Sequence, residues 1–140
     1  MNHIAILDKK RKLLPKIISR EKTIESRWYQ TRRTPWNNIC KGDVIYFKNA
    51  GELINVKANV KEVLFFDNLN KELVLKILKK YGEAICMETL DYTIYYEKKN
   101  YCILMFLENV KEIKPFSINK KGFGSACAWI TIKDIKKIIK

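Results

Sequence analysis

The sequence predicts an α+β fold, a small β-barrel of about five to seven strands with two or three flanking helices, built by residues 1–140 as a single domain. Three observations lead there. Strand-length runs, apolar or alternating, recur between turn residues. Two segments carry helical spacing of apolar residues, one early and one central. No internal repeat, low-complexity tract or Pro/Ser/Gly linker divides the 140 residues, a length that one hydrophobic core accommodates. With 47% apolar and 11% aromatic residues, the chain lies far from the compositions that stay disordered.

Residues 3–7, HIAIL, form a short apolar run of strand length, and Asp8 after it has the side chain of a helix N-cap. A helix is predicted over about 9–19, where Leu13, Leu14, Ile17 and Ile18 recur at helical spacing. Pro15 places the regular part from Leu13 onward, with the proline in the first turn. Residues 22–28 alternate like a strand, setting Thr23, Glu25 and Arg27 on one face and Lys22, Ile24, Ser26 and Trp28 on the other.

A polar stretch, YQTRRTPWNNI, reads as a loop. Lys41-Gly42-Asp43 gives a tight turn into the strand VIYFK, and Ala50-Gly51 marks another turn. INVKANVKEVLFF is β-branched and alternating, and reads as one long strand or two short ones. Asn70 then caps a helix carrying Leu73, Leu75, Ile77 and Leu78, which Gly82 is expected to close. Residues 92–96 and YCILMFLENV read as strands, 112–126 as an ordered loop around Pro115, Gly122 and Gly124, and AWITIKDIKKIIK as a strand running into a short basic turn.

Lys and Arg total 28 against 15 acidic residues, a net charge of +13. Such a field attracts polyanions, because each Lys or Arg near a phosphate releases a condensed counterion. A lysine-rich solubilising surface is the plainer reading, but the excess over acidic residues favours a nucleic-acid partner. Cys40, Cys86, Cys102 and Cys127 form no CxxC pair and no Cys/His ligand spacing, so neither a zinc site nor any other cofactor is expected. Their apolar flanks read as reduced, buried thiols of a cytoplasmic protein. No run reaches membrane-spanning length and no secretory leader is legible at the start, so no membrane partner is expected.

Arg20-Glu21-Lys22-Thr23-Ile24-Glu25-Ser26-Arg27 resembles the hallmark G-x-K-x-x-E-x-R of the ASCH family, with Arg20 where the family has glycine. The order of elements around it agrees as well: a helix before, a KGD turn into a strand after, and a helix following the next strand pair. The resemblance implies a PUA-like β-barrel with this motif at the mouth of a pocket, in a family associated with RNA metabolism.

The chemistry of the motif also reads from its residues. On a strand Glu25 and Arg27 project to one face, where carboxylate and guanidinium can pair with each other or share a ligand. Lys22, at the helix-to-strand turn, reaches the same opening. A cation, a carboxylate and a fork donor suit a nucleobase edge with a nearby phosphate. The alternative is a salt bridge that merely closes the barrel end. Tyr29, Arg32, Arg33 and Trp36 extend the candidate RNA or single-stranded nucleic-acid site, since bases stack on rings while phosphates meet guanidinium groups. Trp28 is expected in the core, Trp36 exposed, and Trp129 packed.

An enzymatic reading stays open. Some ASCH proteins remove the acetyl group from N4-acetylcytidine with a motif lysine, a threonine nucleophile and a distant glutamate. Lys22 matches that lysine, but Glu25 stands where the nucleophile would be. Lys22 and Glu25 are therefore the catalytic candidates, either for hydrolysis of a modified nucleoside, with Glu25 activating water, or for RNA cleavage at a 2′-hydroxyl. Gly122-Phe123-Gly124-Ser125 lacks the frame of a phosphate loop and reads as a turn. His3, the sole histidine, is expected to be a satisfied, partly buried residue, which leaves a Ser-His or Cys-His arrangement without support.

Overall fold

The computed structural model of the protein describes residues 1–87, 91–124 and 126–140. In chain order these form β1 (Asn2–Leu7), α1 (Leu13–Ile18), β2 (Ile24–Tyr29), β3 (Val44–Asn49), β4 (Ile54–Phe66), α2 (Lys71–Ile85), β5 (Tyr101–Phe116) and β6 (Trp129–Ile132). Short 3-10 turns lie at Lys9–Arg11, Tyr92–Tyr95 and Ile135–Lys137. The strands make one mixed sheet in the order β2-β5-β4-β3-β1-β6, curled into a half-barrel. Among the described residues β1 and β3 run parallel and the other strand pairings are antiparallel.

Alternation along the strands sorts side chains onto two faces. Ala5 and Leu7 of β1, Phe47 of β3, Val56 and Ala58 of β4, and Ile103 and Met105 of β5 fill the concave core with Leu13, Leu14 and Ile17 of α1. On the convex face Cys102 and Leu104 of β5 and Ile24 of β2 meet Val74, Ile77 and Leu78 of α2. The middle of β5 is apolar on both faces because it is covered on both. β4 and β5 are the longest strands, and register shifts between Ile54 and Val56, Lys57 and Asn59, and Val60 and Glu62 interrupt their ladder. Such irregularities sharpen the local twist and let one ribbon bend through the whole curl.

The early turns follow from their caps. Asp8 accepts from the Lys10 amide, and Lys12 then takes a left-handed conformation (φ 55°), so the turn breaks before α1 begins at Leu13. Pro15 sits in the first turn of α1, where its missing N–H is not needed. Asn70 caps α2 by accepting from the Leu73 amide.

Four expectations are corrected. Gly82 does not close α2: the helix runs to Ile85, Cys86 takes the left-handed cap position (φ 60°), and Gly82 is buried with the Met87 sulfur 3.0 Å from where its Cβ would lie. The glycine gives clearance for the returning chain. Residues 92–95 are a 3-10 turn, because Asp91 accepts from the Thr93 amide and nucleates it. β5 extends through Pro115 to Phe116, which pairs with Ile54. Beyond Phe106 β5 has no β2 residue in register, so a proline without an N–H is tolerated there. Only the remainder of 112–126 is loop, and Ser125 in it lies outside the described residues. Finally, Cys102 is buried but Cys40 is exposed, and Cys86 and Cys127 are half-buried.

His3 is fully buried on β1, with Nε2 2.8 Å from Asp43 Oδ2 and Nδ1 2.9 Å from Thr131 Oγ1. The Trp129 indole also donates to Nδ1, at 3.3 Å. It is a satisfied histidine, as expected, but fully rather than partly buried, and it locks β1 to β6 and to the turn before β3. No helix among the described residues is long and apolar enough to cross a membrane.

Candidate functional site

The site is built around β2. Ile24 packs beneath α2, and Trp28 joins it on that face; Glu25, Arg27 and Tyr29 alternate onto the other. The chain enters β2 from α1 through a tight turn in which Arg20 adopts φ 66°, and the Lys22 amide bonds back to the Lys16 carbonyl at 2.9 Å. This left-handed position is where the family motif has glycine, the residue that meets least steric resistance there. Arg20 compensates with its side chain, whose guanidinium donates to the Ile18 carbonyl and, at 2.7 Å, to the Val110 carbonyl.

Lys22 and Glu25 are 2% and 3% exposed, so both charges are withdrawn from water. The Lys22 ammonium donates to the Ile24 carbonyl at 2.8 Å and the Ile85 carbonyl at 2.6 Å, and lies 3.5 Å from Glu25 Oε1. Its hydrogen-bonding capacity is directed at the end of α2, the start of β2 and the carboxylate. It is a buried counter-ion tying these elements, rather than a free cation reaching across the opening. Glu25 Oε1 also accepts from the Ser26 amide at 3.0 Å, while Oε2 is 3.6 Å from Arg27 Nη2 and has no hydrogen-bond partner. Burial pushes the Glu25 carboxyl upward, but Lys22, Arg27, the Ser26 amide and Arg11 together hold it below the usual carboxylate range. The group is an ionised acceptor whose Oε2 is buried without a hydrogen-bond donor.

Arg27 bridges the sheet's open side. β2 and β6 are the two edge strands. From β2 the Arg27 guanidinium donates to the carbonyl of Ala128 at 3.3 Å and lies over the Trp129 ring, 5.0 Å from its centre. Around Lys22, Glu25 and Arg27 opens a cleft of about 640 Å3, walled by Leu13 of α1, Ile85 and Met87 at the end of α2, and Trp28, Tyr95 and Lys99. Trp28 packs against Tyr95 with ring centres 4.7 Å apart and donates its indole N–H to Ser26 Oγ at 3.0 Å. Trp28 is thus half-buried in the core and also a wall of the cleft.

The loop after β2 holds the remaining candidates, and the structure separates them. Arg32 and Arg33 are exposed, each over a tyrosine: Arg32 above Tyr101 at 5.5 Å, Arg33 above Tyr29 at 5.3 Å. Trp36 is not the exposed ring expected. It packs edge-on against Phe65 and Tyr101 and joins the concave core, because the loop folds back over β4 and β5. Tyr29 is half-buried beside Arg27 and lines the cleft. Sequence reasoning passed over Arg11, whose charge acts on Glu25, and over Lys99 and Tyr95, while Trp129 is packed as expected and also lies under the Arg27 guanidinium. Among the described residues no three His, Cys, Asp or Glu side chains converge as a metal site requires.

No protein-family model matches the sequence, and comparison with curated proteins finds no match. Solved structures do match. The crystal structure of ASCH from Zymomonas mobilis superposes with a TM-score of 0.70 at 17% identity, over 97% of this chain and 90% of that one. The fold is ASCH-like. A serine-to-alanine variant of the same Zymomonas protein matches with a TM-score of 0.71 over the same share of this chain. A hypothetical protein of known structure matches less closely, at 0.52 and 19% identity, over 81% of this chain and all of that one. The ASCH-like half-barrel explains why a motif read from eight consecutive residues lands at a cleft: the turn before β2 and the strand itself form its floor.

Proposed function

We propose that the cleft binds RNA, taking a nucleobase edge on Glu25 and Arg27, with a modified nucleoside as the smallest ligand of that kind. One observation carries the reading. Glu25, held ionised, lines a concave, basic opening; its Oε2 is buried, has no hydrogen-bond partner and lies 3.6 Å from a guanidinium. A carboxylate acceptor beside a fork donor is complementary to a base edge that presents an amino group next to a ring nitrogen. Trp28 and Tyr95 supply aromatic walls, and the net charge of +13 supplies long-range attraction to phosphates. Arg32, Arg33 and Tyr29 serve the strand leaving the cleft, while Trp36 serves the core.

The test is fluorescence anisotropy of a short single-stranded RNA, at low and at physiological salt, with wild type, Glu25→Gln and Arg27→Ala. A good base contact contributes ~1–3 kcal/mol, so each variant should lose roughly 5- to 150-fold in affinity. Absence of binding at low salt, or affinity indifferent to both substitutions, refutes the reading. The hydrolytic alternative draws less from the geometry. Lys22 is engaged by two carbonyls, and a carboxyl held below its usual range is a weak base. Release of cytidine from N4-acetylcytidine, abolished by Glu25→Gln, would favour it.

A further inference from the structure

A second concavity of about 930 Å3 lies on the other side of Tyr29, lined by Arg33, Thr34, Asn38, Phe123 and the Cys127–Thr131 segment. Tyr29 belongs to both clefts. So, in effect, does Arg27: one arm of its guanidinium faces Glu25 in the first, while the other holds the Ala128 carbonyl and covers Trp129 in the second. The two clefts are therefore neighbouring compartments along one seam, the gap between edge strands β2 and β6, with Arg27 and Tyr29 as the partition.

We infer that this seam is a path for single-stranded RNA, and that the second cleft receives the nucleotide adjoining the base held at Glu25 and Arg27. The inference rests on the reading of the first cleft. The second cleft differs from it in chemistry. Among the described residues its lining includes no acidic side chain, and it offers an exposed ring, Phe123 at 36% exposure, together with the exposed guanidinium of Arg33 and the polar groups of Thr34 and Asn38. A ring with a cation and no carboxylate accepts any stacked base and its phosphate, whereas Glu25 discriminates among edges. The phosphate linking the two nucleotides meets Arg27 and Arg33, both beside Tyr29. The ligand class is thus an oligonucleotide of at least two residues, read at one position and gripped without sequence preference at the next.

Competition against a fluorescent RNA by a mononucleotide and by its di- and tetranucleotides tests this. Wild type should prefer the tetranucleotide over the mononucleotide by roughly tenfold or more, the effect of one stacked base. Phe123→Ala, which removes no charge, should erase most of that preference while leaving mononucleotide affinity unchanged, and Arg33→Ala should erase most of it as well. Lys79→Ala, which removes one charge from the exposed side of α2, should leave the preference intact. Equal affinity for all lengths, or a preference that survives Phe123→Ala and Arg33→Ala, overturns the path while the first cleft stands. Absence of mononucleotide binding, or mononucleotide binding indifferent to Glu25→Gln, overturns both.

Discussion

Replacing Lys22 by methionine keeps the unbranched chain up to the ε position and removes the ammonium, which makes it the sharpest probe of how the site is held. In the wild type the ammonium satisfies the Ile24 and Ile85 carbonyls at 2.8 and 2.6 Å and faces Glu25 at 3.5 Å, with all three groups out of water. Removing one partner of a buried ion pair costs ~3–5 kcal/mol, because the survivor remains desolvated and uncompensated. Arg27 still faces Glu25 at 3.6 Å, which puts the expectation at the lower end, about 3 kcal/mol. For a chain of this size that is roughly a 10 °C fall in melting temperature. Lys22→Met combined with Glu25→Gln leaves no uncompensated buried carboxylate, so the double variant should be more stable than Lys22→Met alone. Urea denaturation of the four proteins closes the cycle. A cost below ~1 kcal/mol for Lys22→Met, or a double variant whose loss is the simple sum, would refute the argument that Lys22 serves as the counter-ion of Glu25.

Three further outcomes are expected. At Arg20 a non-glycine residue with φ 66° costs about 1 kcal/mol, offset here by two side-chain bonds to carbonyls; Arg20→Ala should lose ~1–2 kcal/mol and Arg20→Gly remain within ~0.5 kcal/mol of wild type in the same urea assay. Stability should fall as pH drops below about 6.5, where unfolded histidine gains a proton that buried His3 resists. Burial lowers the His3 pKa below 6.5 against the opposing pull of Asp43, while Thr131, Trp129 and the Met1 ammonium also face this group. Burial of Asp43 and Glu25 is outweighed by their partners, so both stay below 3.8 and 4.5 and steepen the loss at lower pH. His3→Gln should flatten the upper part of that profile and leave the acid limb, and an unchanged slope between about pH 6.5 and 5 would contradict it. Trp36→Phe keeps an aromatic ring in the core and removes a buried N–H that has no partner, so thermal melts should shift by less than about 1 kcal/mol and RNA affinity should not change; a loss of affinity would restore Trp36 to the interface.

The motif was legible because its chemistry is local. Lys22, Glu25 and Arg27 lie within eight consecutive positions, and strand periodicity alone sets Glu25 and Arg27 on one face. The caps at Asp8 and Asn70 were legible for the same reason. What escaped was set by distant neighbours. Trp36 sits in a stretch as polar as any surface loop, and only the positions of Phe65 and Tyr101 bury it. Pro115 argues against a strand until it is known that β5 lacks a partner on one side there. Gly82 looks like a stop, but the next turn of α2 still buries Ile85, and the chain ends its helix at Cys86. The engagement of Lys22 by the Ile85 carbonyl joins residues 63 positions apart and leaves no trace in either segment.

The strand order also sets a timetable for synthesis. β1 lies between β3 and β6, and its pairing with β6 joins His3 to Thr131, from opposite ends of the described chain. A nascent chain leaving the ribosome can bring together α1, β2, α2 and the paired part of β5 once residues up to about 107 have emerged, so the pocket of Glu25 forms first. The wall contributed by residues 127–131 follows only with the last strand. Until then one edge of β1 is uncovered, and long-range pairings of this kind are the slow steps of β-rich folding. The compartment on the far side of Tyr29 is therefore completed later than the pocket of Glu25.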